Sequence, residues 1–178
     1  HEECPELAAF KQDAVRDAIL TQRRLELLAQ KEPDYVRPIV LFQAEPKGGD
    51  VTVEVLETHL KNVEKLPENQ IAVATGTQKD LDGIDLLDTQ CPIRFVITVE
   101  ALKEGWDCPF AYILASLANK TSSVDVEQIL GRVLRQPYAI RQEAAVMNLS
   151  YVLTCSADFR NTLDHIVLGL NGAGFSSK

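Results

Sequence analysis

The sequence predicts an α/β fold, with a mainly parallel sheet that helices cover on both faces. Short apolar segments the length of strands alternate along the chain with longer amphipathic segments at helical spacing. The strand-like segments are compact apolar runs rich in β-branched residues, which is typical of strands buried on both faces. The 178 residues, 46% hydrophobic and 25% charged, suffice for one sizeable core and predict one main domain.

The first predicted element is a long helix over 6–30. This segment is rich in Ala, Leu, Gln, Glu and Arg, contains neither Gly nor Pro, and repeats apolar residues at helical spacing. Pro33 and Pro38 bracket a break between this helix and the first strand. The simplest interpretation is a connecting helix that leads into a sheet.

The remaining elements alternate, and Gly, Pro, Asn or Ser bound most of them. The predicted strands are 39–44, 71–74, 94–99, 112–117 and 148–154. The predicted helices are 51–65, 81–87, 124–136 and 158–170. Open sheets of this kind bind ligands at the carboxyl ends of their strands, so we expect any chemistry in the turns that follow the strands.

Composition excludes several classes of function. Eighteen basic against 26 acidic residues give a formal charge of −8, so any contact with phosphate must be local. Four cysteines form no C-x-x-C pair and stand near no histidine cluster, which predicts neither a metal site nor a disulfide framework. No apolar run approaches the roughly 20 residues of a membrane helix. We therefore expect reduced thiols, a cytoplasmic location and no membrane partner.

The ends of the chain suggest a piece of a longer protein, since residue 1 is His1 and the last residues are small and polar. We expect three parts: a connecting helix over 5–32, the sheet domain over 36–175 and a tail over 176–178.

The most informative segment is 127–137, which reads EQILGRVLRQP. On a helix, Gln128, Arg132 and Arg135 lie at positions i, i+4 and i+7 and form one polar stripe. Gly131 costs about 1 kcal/mol of helix propensity, which indicates a close approach at that position. Two guanidinium groups a turn apart suit a phosphate. A surface helix with two solvated arginines explains the spacing equally well.

A second segment, 97–109, reads ITVEALKEGWDCP and follows a predicted strand directly. Gly105 supplies a backbone conformation that other residues resist, and Asp107 is placed to accept hydrogen bonds from a hydroxyl or to orient the arginine helix. The alternative is an ordinary strand-to-loop turn around a buried Trp106. In a similar position, Thr75, Gly76 and Thr77 end the 71–74 strand with residues whose backbone amides suit a phosphate.

The two long segments resemble motifs VI and V of superfamily 2 helicases, and 39–43 resembles motif IV. With Cys91 and Pro92, they are most similar to the helicase portion of type III restriction enzyme Res subunits, a resemblance that covers about 37–175. It implies a second RecA-like lobe. Arg135 would be an arginine finger reaching ATP on the first lobe, with Arg132 and Gln128 as its partners.

The resemblance further implies that Gly105, Asp107 and Gly131 lie near the nucleotide, and that Thr98 and the 75–77 turn contact DNA. ATP and Mg²⁺ would be held mainly by the first lobe of the same protein. In a restriction system, a modification (methyltransferase) subunit would be a further partner and a separate nuclease domain would cleave DNA; no nuclease motif occurs in these residues.

A complete motor needs a G-x-x-x-x-G-K-[ST] loop and an acidic strand end for Mg²⁺, and this sequence has neither. We therefore expect the chain alone to be inactive as an ATP hydrolase. Two alternatives remain open: the lobe of a nuclease-free repair or remodelling translocase, and a self-contained α/β regulatory or binding module of flavodoxin-like type.

Overall fold

The computed structural model describes residues 7–75, 80–99, 110–118 and 151–155. Within these ranges the elements follow one another as helix, strand, helix and then four further strands. They are α1 (Ala9–Ala29), β1 (Ile39–Gln43), α2 (Val53–Asn62), a short 3-10 helix (Glu68–Gln70), β2 (Ile71–Ala74), β3 (Phe95–Thr98), β4 (Ala111–Ser116) and β5 (Tyr151–Thr154).

The five strands form a single sheet in the order β2-β3-β1-β4-β5, and all neighbouring strands are parallel. Every residue of β1, β3 and β4 is buried. Because successive side chains of a strand point to opposite faces, continuous burial means that both faces of the central strands are covered. The predicted covered, mainly parallel sheet is confirmed.

Helix α1 packs along β1, β4 and β5. Its freedom from Gly and Pro favours a helix, and one face is buried through Val15, Ala18 and Ile19. Near its carboxyl end, Gln22 Nε2 donates to Pro38 O at 3.0 Å, just before β1 begins. The long N-terminal helix is therefore confirmed, and it packs directly on the sheet.

Helix α2 begins after Thr52, whose hydroxyl accepts a hydrogen bond from the Val55 amide. Such a cap satisfies one of the amides that a helix leaves unpaired at its start. Its buried face, which includes Leu56 and Leu60, packs against β3. The sequence predicted a longer helix over 51–65, and the helix is shorter at both ends.

The predicted helix over 81–87 is wrong, because the segment forms successive turns. Gly83 has φ of +75°, a left-handed conformation that interrupts a right-handed helix. The Asp85 carboxylate accepts from the Leu87 amide at 3.0 Å, and this local bond competes with helical pairing. Leu81 and Leu86 are nevertheless buried, so the apolar spacing reflects loop packing.

The predicted helices over 124–136 and 158–170 lie outside the described residues. In the part of the chain that the structure describes, no helix combines the length and apolar character needed to cross a membrane.

Candidate functional site at the carboxyl edge of the sheet

All five strands end at the same edge of the sheet, because all of them are parallel. The register places Gln43 of β1 beside Thr98 of β3 on one side and Ser116 of β4 on the other. Ser116 in turn pairs with Thr154 of β5. The strand ends after which the sequence predicted chemistry are thus neighbours along one edge.

A row of polar side chains crosses this edge. The row consists of Thr98, Gln43, Ser116 and Thr154. Paired residues in a parallel sheet point to the same face, so these four side chains share one face of the sheet. Ser116 Oγ donates to Gln43 Oε1 at 2.6 Å, and both side chains are buried.

Thr98 is the exception within the polar row. Its side chain is fully buried, and among the described residues its hydroxyl has no hydrogen-bond partner. A buried hydroxyl without a partner costs about 1 to 3 kcal/mol, so such a group calls for an explanation. The interpretation of Thr98 as a DNA contact stays a prediction, and in this structure its hydroxyl is shielded from solvent.

Sequence reasoning missed Gln43 and Ser116 as members of a site. The signal was present, because each of these strands is an apolar run that closes on a polar residue: IVLFQ, FVIT, AYILAS and YVLT. A buried strand that ends in a polar side chain places that side chain at the edge where such folds bind ligands. Recognising the row also required the strand order, which the sequence does not supply.

A cavity of about 470 Å³ opens where β1 continues into α2. Its walls come from the β1–α2 loop, the start of α2, and the ends of β2 and β3. The lining residues are Glu45, Pro46, Lys47, Gly48, Thr52, Val53, Glu54, Thr75 and Val99. Thr75, the described member of the predicted DNA-contacting turn, is thus one of the residues that line the cavity.

The β1–α2 loop (residues 45–52) has a defined shape. Gly48 takes a φ of +95°, a conformation that favours glycine, and the Gly49 amide donates to Pro46 O at 3.0 Å. Glu45 makes two contacts with Val51: its amide donates to Val51 O, and its carboxylate accepts from the Val51 amide at 3.2 Å. The loop is therefore held at its base by one residue.

Charges of both signs line the cavity. Lys47 supplies a cation at the rim, whereas Glu45 and Glu54 supply carboxylates. Glu54 lies in the first turn of α2, where a negative side chain interacts favourably with the helix dipole. Among the described residues there is no group of three or more His, Cys, Asp or Glu side chains placed to hold a metal ion. The described edge therefore combines a cavity with one cation and two carboxylates.

The structure describes two of the predicted site residues, Thr98 and Thr75. Thr98 is the last residue of β3, and Thr75 follows the last residue of the neighbouring strand β2, because Thr98 pairs with Ala74. The other predicted site residues lie outside the described residues: Gly76, Thr77, Gly105, Asp107, Gln128, Gly131, Arg132 and Arg135.

Comparison with known proteins supports the fold. No protein-family model and no curated protein matches the chain. Among solved structures, the C-terminal part of the Fun30 ATPase domain is similar over 83% of this chain, with a TM-score of 0.51 and 14% identity. The chain spans 43% of that structure's length. At this identity the similarity concerns the fold, and the expected RecA-like α/β fold class is confirmed.

Two further structures give lower scores. The C-terminal domain of S. cerevisiae Dbp5, bound to Gle1 and IP6, covers 98% of this chain and is itself covered to 83%, with a TM-score of 0.45 and 12% identity. The type ISP restriction-modification enzyme LlaBIII, bound to DNA, is similar over 86% of this chain and 11% of its own length, with a TM-score of 0.42 and 16% identity. Both scores lie below the level at which a shared fold follows.

Proposed function

We propose that this chain is the second motor lobe of an ATP-dependent DNA helicase or translocase. The observation that carries the proposal is the position of β3 and β4 on either side of β1. The segment with Gly105 and Asp107 leaves the end of β3, and the segment with Gln128, Arg132 and Arg135 leaves the end of β4. With strands about 4.8 Å apart, both segments start within about 10 Å of each other at the binding edge.

In this proposal Arg135 is the arginine finger. It reaches across to the γ-phosphate of an ATP molecule bound by the first lobe, and Arg132 and Gln128 complete the contact. An arginine in this role is worth roughly 10³ to 10⁵ in rate, because it stabilises charge that develops during phosphoryl transfer. Gly105, Asp107 and Gly131 would lie near the nucleotide.

ATP and Mg²⁺ would be held mainly by that first lobe, because this sequence lacks the phosphate-binding loop and the acidic strand end. On this account 5–32 connects the two lobes and 36–175 is the lobe itself. The packing of α1 against β1, β4 and β5 supports a connecting helix that is fixed to the second lobe.

DNA would contact the opposite part of the same edge. Thr75 lines the cavity next to the β1–α2 loop, and Gly76 and Thr77 follow it in sequence. Lys47 adds a local cation there, which is the form of phosphate contact that a chain with a net charge of −8 permits. Thr98, one strand away, would contact the DNA backbone only when its hydroxyl is uncovered.

The longer protein would resemble a type III restriction enzyme Res subunit, with a modification subunit as a partner. The motif-like residues in 91–109 and 127–138 support this closer assignment. The absence of a nuclease motif from these residues leaves a nuclease-free repair or remodelling translocase as the second candidate. An acidic nuclease motif downstream in the reading frame would separate the two.

The first test uses the chain by itself. The purified 178-residue protein should hydrolyse ATP at no more than the background rate, with or without duplex DNA, because it supplies half of the interlobe site. Turnover that survives repurification and responds to DNA would show a complete site within these residues and overturn the proposal.

A further inference from the structure

Lys11 is a buried cation on α1. Its side chain is 3% exposed, and its Nζ lies 3.8 Å from Glu45 Oε1, in the loop that lines the cavity. The Glu45 side chain is itself 14% exposed. At 3.8 Å the contact is an ion pair rather than a hydrogen bond, and solvent screens it little because both groups are largely buried.

Glu45 is the residue on which the shape of the β1–α2 loop depends. Its amide donates to Val51 O at 2.6 Å, and its Oε1 accepts from the Val51 amide at 3.2 Å. A Cβ atom at Gly49 would lie 2.6 Å from the Glu45 Cβ, so the loop folds closely over this side chain. A shift of the Glu45 carboxylate would therefore move the loop.

One carboxylate oxygen of Glu45 links helix α1 to the β1–α2 loop. Glu45 Oε1 faces Lys11 of α1 and accepts from the Val51 amide of the loop. Loss of the Lys11 charge would leave the Glu45 carboxylate largely buried with one cation fewer, a situation that proteins avoid because desolvated charge is costly. The carboxylate would turn towards solvent and release the Val51 amide.

We propose that Lys11 is a positioning residue for the β1–α2 loop, so that the placement of α1 sets the shape of the cavity at the carboxyl edge. Lys11 acts through Glu45 and is not a lining residue of the cavity. If α1 connects two lobes, a reading that rests on the proposed function, this ion pair transmits the position of the first lobe to the DNA-contacting edge.

Amide hydrogen exchange on the 178-residue chain tests the proposal. In Lys11→Met, the Val51 and Glu45 amides should exchange on the order of tenfold faster, because local opening of the loop no longer breaks an ion pair. Amides in β1 and β4 should keep their rates. Lys11→Arg should restore slow exchange, because arginine keeps the charge.

Two controls separate positioning from general stability. Arg23→Met removes an exposed cation from the same helix and should leave loop exchange unchanged. Glu45→Gln should raise loop exchange, and adding Lys11→Met to it should add little, because both changes remove one interaction. Gly49→Ala should open the loop with α1 intact and serves as the positive control.

An unchanged Val51 rate in Lys11→Met would overturn the proposal, and so would a uniform rise across the sheet. The measurement needs neither ATP nor DNA. A negative exchange result would therefore overturn the role of Lys11 without affecting the motor-lobe proposal. Conversely, if the chain were not a motor lobe, the exchange result would still hold.

Discussion

The hydroxyl groups of Thr98 and Ser116 occupy the same polar row and differ in one respect. Ser116 donates a hydrogen bond to Gln43, whereas the Thr98 hydroxyl has no partner in the part of the chain that the structure describes. A buried hydrogen bond contributes about 1 kcal/mol, and a buried hydroxyl without a partner costs about 1 to 3 kcal/mol. The two residues should therefore respond oppositely when the hydroxyl is removed.

We expect Thr98→Val to raise the free energy of unfolding by about 1 kcal/mol, because valine has the same shape and no unmet polar atom. Ser116→Ala should lower it by about 1 kcal/mol, because Gln43 loses its donor. Urea unfolding of the two variants beside the unmodified chain measures both changes. A destabilised Thr98→Val would indicate that its hydroxyl has a partner, contrary to the structure.

Tyr112 should make stability depend on alkaline pH. Burial, with a contribution from Glu32, raises the pKa of Tyr112 well above its ordinary value. The unfolded chain releases this proton near pH 10, whereas the folded chain retains it, so stability is complete below about pH 10 and declines above it. Tyr112→Phe should lose stability less steeply between about pH 9 and about pH 11.5.

The comparison variant is Tyr151→Phe. Burial also raises the pKa of Tyr151, but Arg24 opposes that effect and the residue is less buried. Its influence on the pH dependence, followed by thermal unfolding, should be smaller than that of Tyr112. If Tyr112→Phe and the unmodified chain lost stability equally with rising pH, the raised pKa of Tyr112 would be contradicted.

The positions of the strands were largely predictable at this scale, because apolar runs mark them. The sequence placed Thr75 directly after the 71–74 strand, where the structure has it, whereas Thr98 was predicted inside a strand over 94–99 and is the last residue of β3. The hydrogen bond between Ser116 and Gln43 joins residues 73 positions apart. Contacts of that kind depend on which strands become neighbours, and local patterns do not specify that.

At the scale of elements, Arg37, which lies two residues before β1, forms hydrogen bonds to the loop before β3 (residues 86–93). The residue is 1% exposed, and its guanidinium donates to Ile93 O at 2.7 Å, Leu86 O at 2.6 Å and Asp88 O at 3.1 Å. It also lies 5.6 Å from the centre of the Phe110 ring. One side chain thus satisfies carbonyl groups that the irregular segment would otherwise leave unpaired.

Arg37→Met should lower the free energy of unfolding by about 3 kcal/mol, because two buried carbonyl groups and one partly buried carbonyl group lose their donor. Arg37→Lys should recover less than half of the loss, since one ammonium cannot span the three carbonyls. Arg23→Met, on the exposed side of α1, should change stability by less than about 0.5 kcal/mol. Unfolding in guanidinium chloride measures the free energy of unfolding of each variant. Equal stability of Arg37→Met, Arg37→Lys and Arg23→Met would contradict the role of Arg37.

The contrast between α1 and the 81–87 segment shows what local sequence determines. Helix α1 forms where predicted because 21 residues without Gly or Pro combine helix propensity with a buried face. In 81–87 the apolar spacing favoured a helix, but Gly83 and the Asp85 side chain stabilise turns instead. Arg37 fixes that loop from 49 or more residues away, which no local window contains.

For the whole molecule, the sequence predicted the parallel sheet because its strands are continuous apolar runs. The strand order β2-β3-β1-β4-β5 was not predictable from those runs, because it depends on where each crossover returns. That order places the exits of β3 and β4 on both sides of β1, and the proposed function depends on this placement.

The most direct test of the motor-lobe proposal is ATP hydrolysis by the longer protein with Arg135→Ala, measured with and without duplex DNA. Arg141→Ala, outside the Gln128–Arg135 stripe, is the matched control. We predict that Arg135→Ala lowers turnover by roughly 10³-fold or more, with ATP binding retained, and that the control keeps its activity. Unchanged turnover in Arg135→Ala would return Arg135 to a solvated surface position and contradict the account.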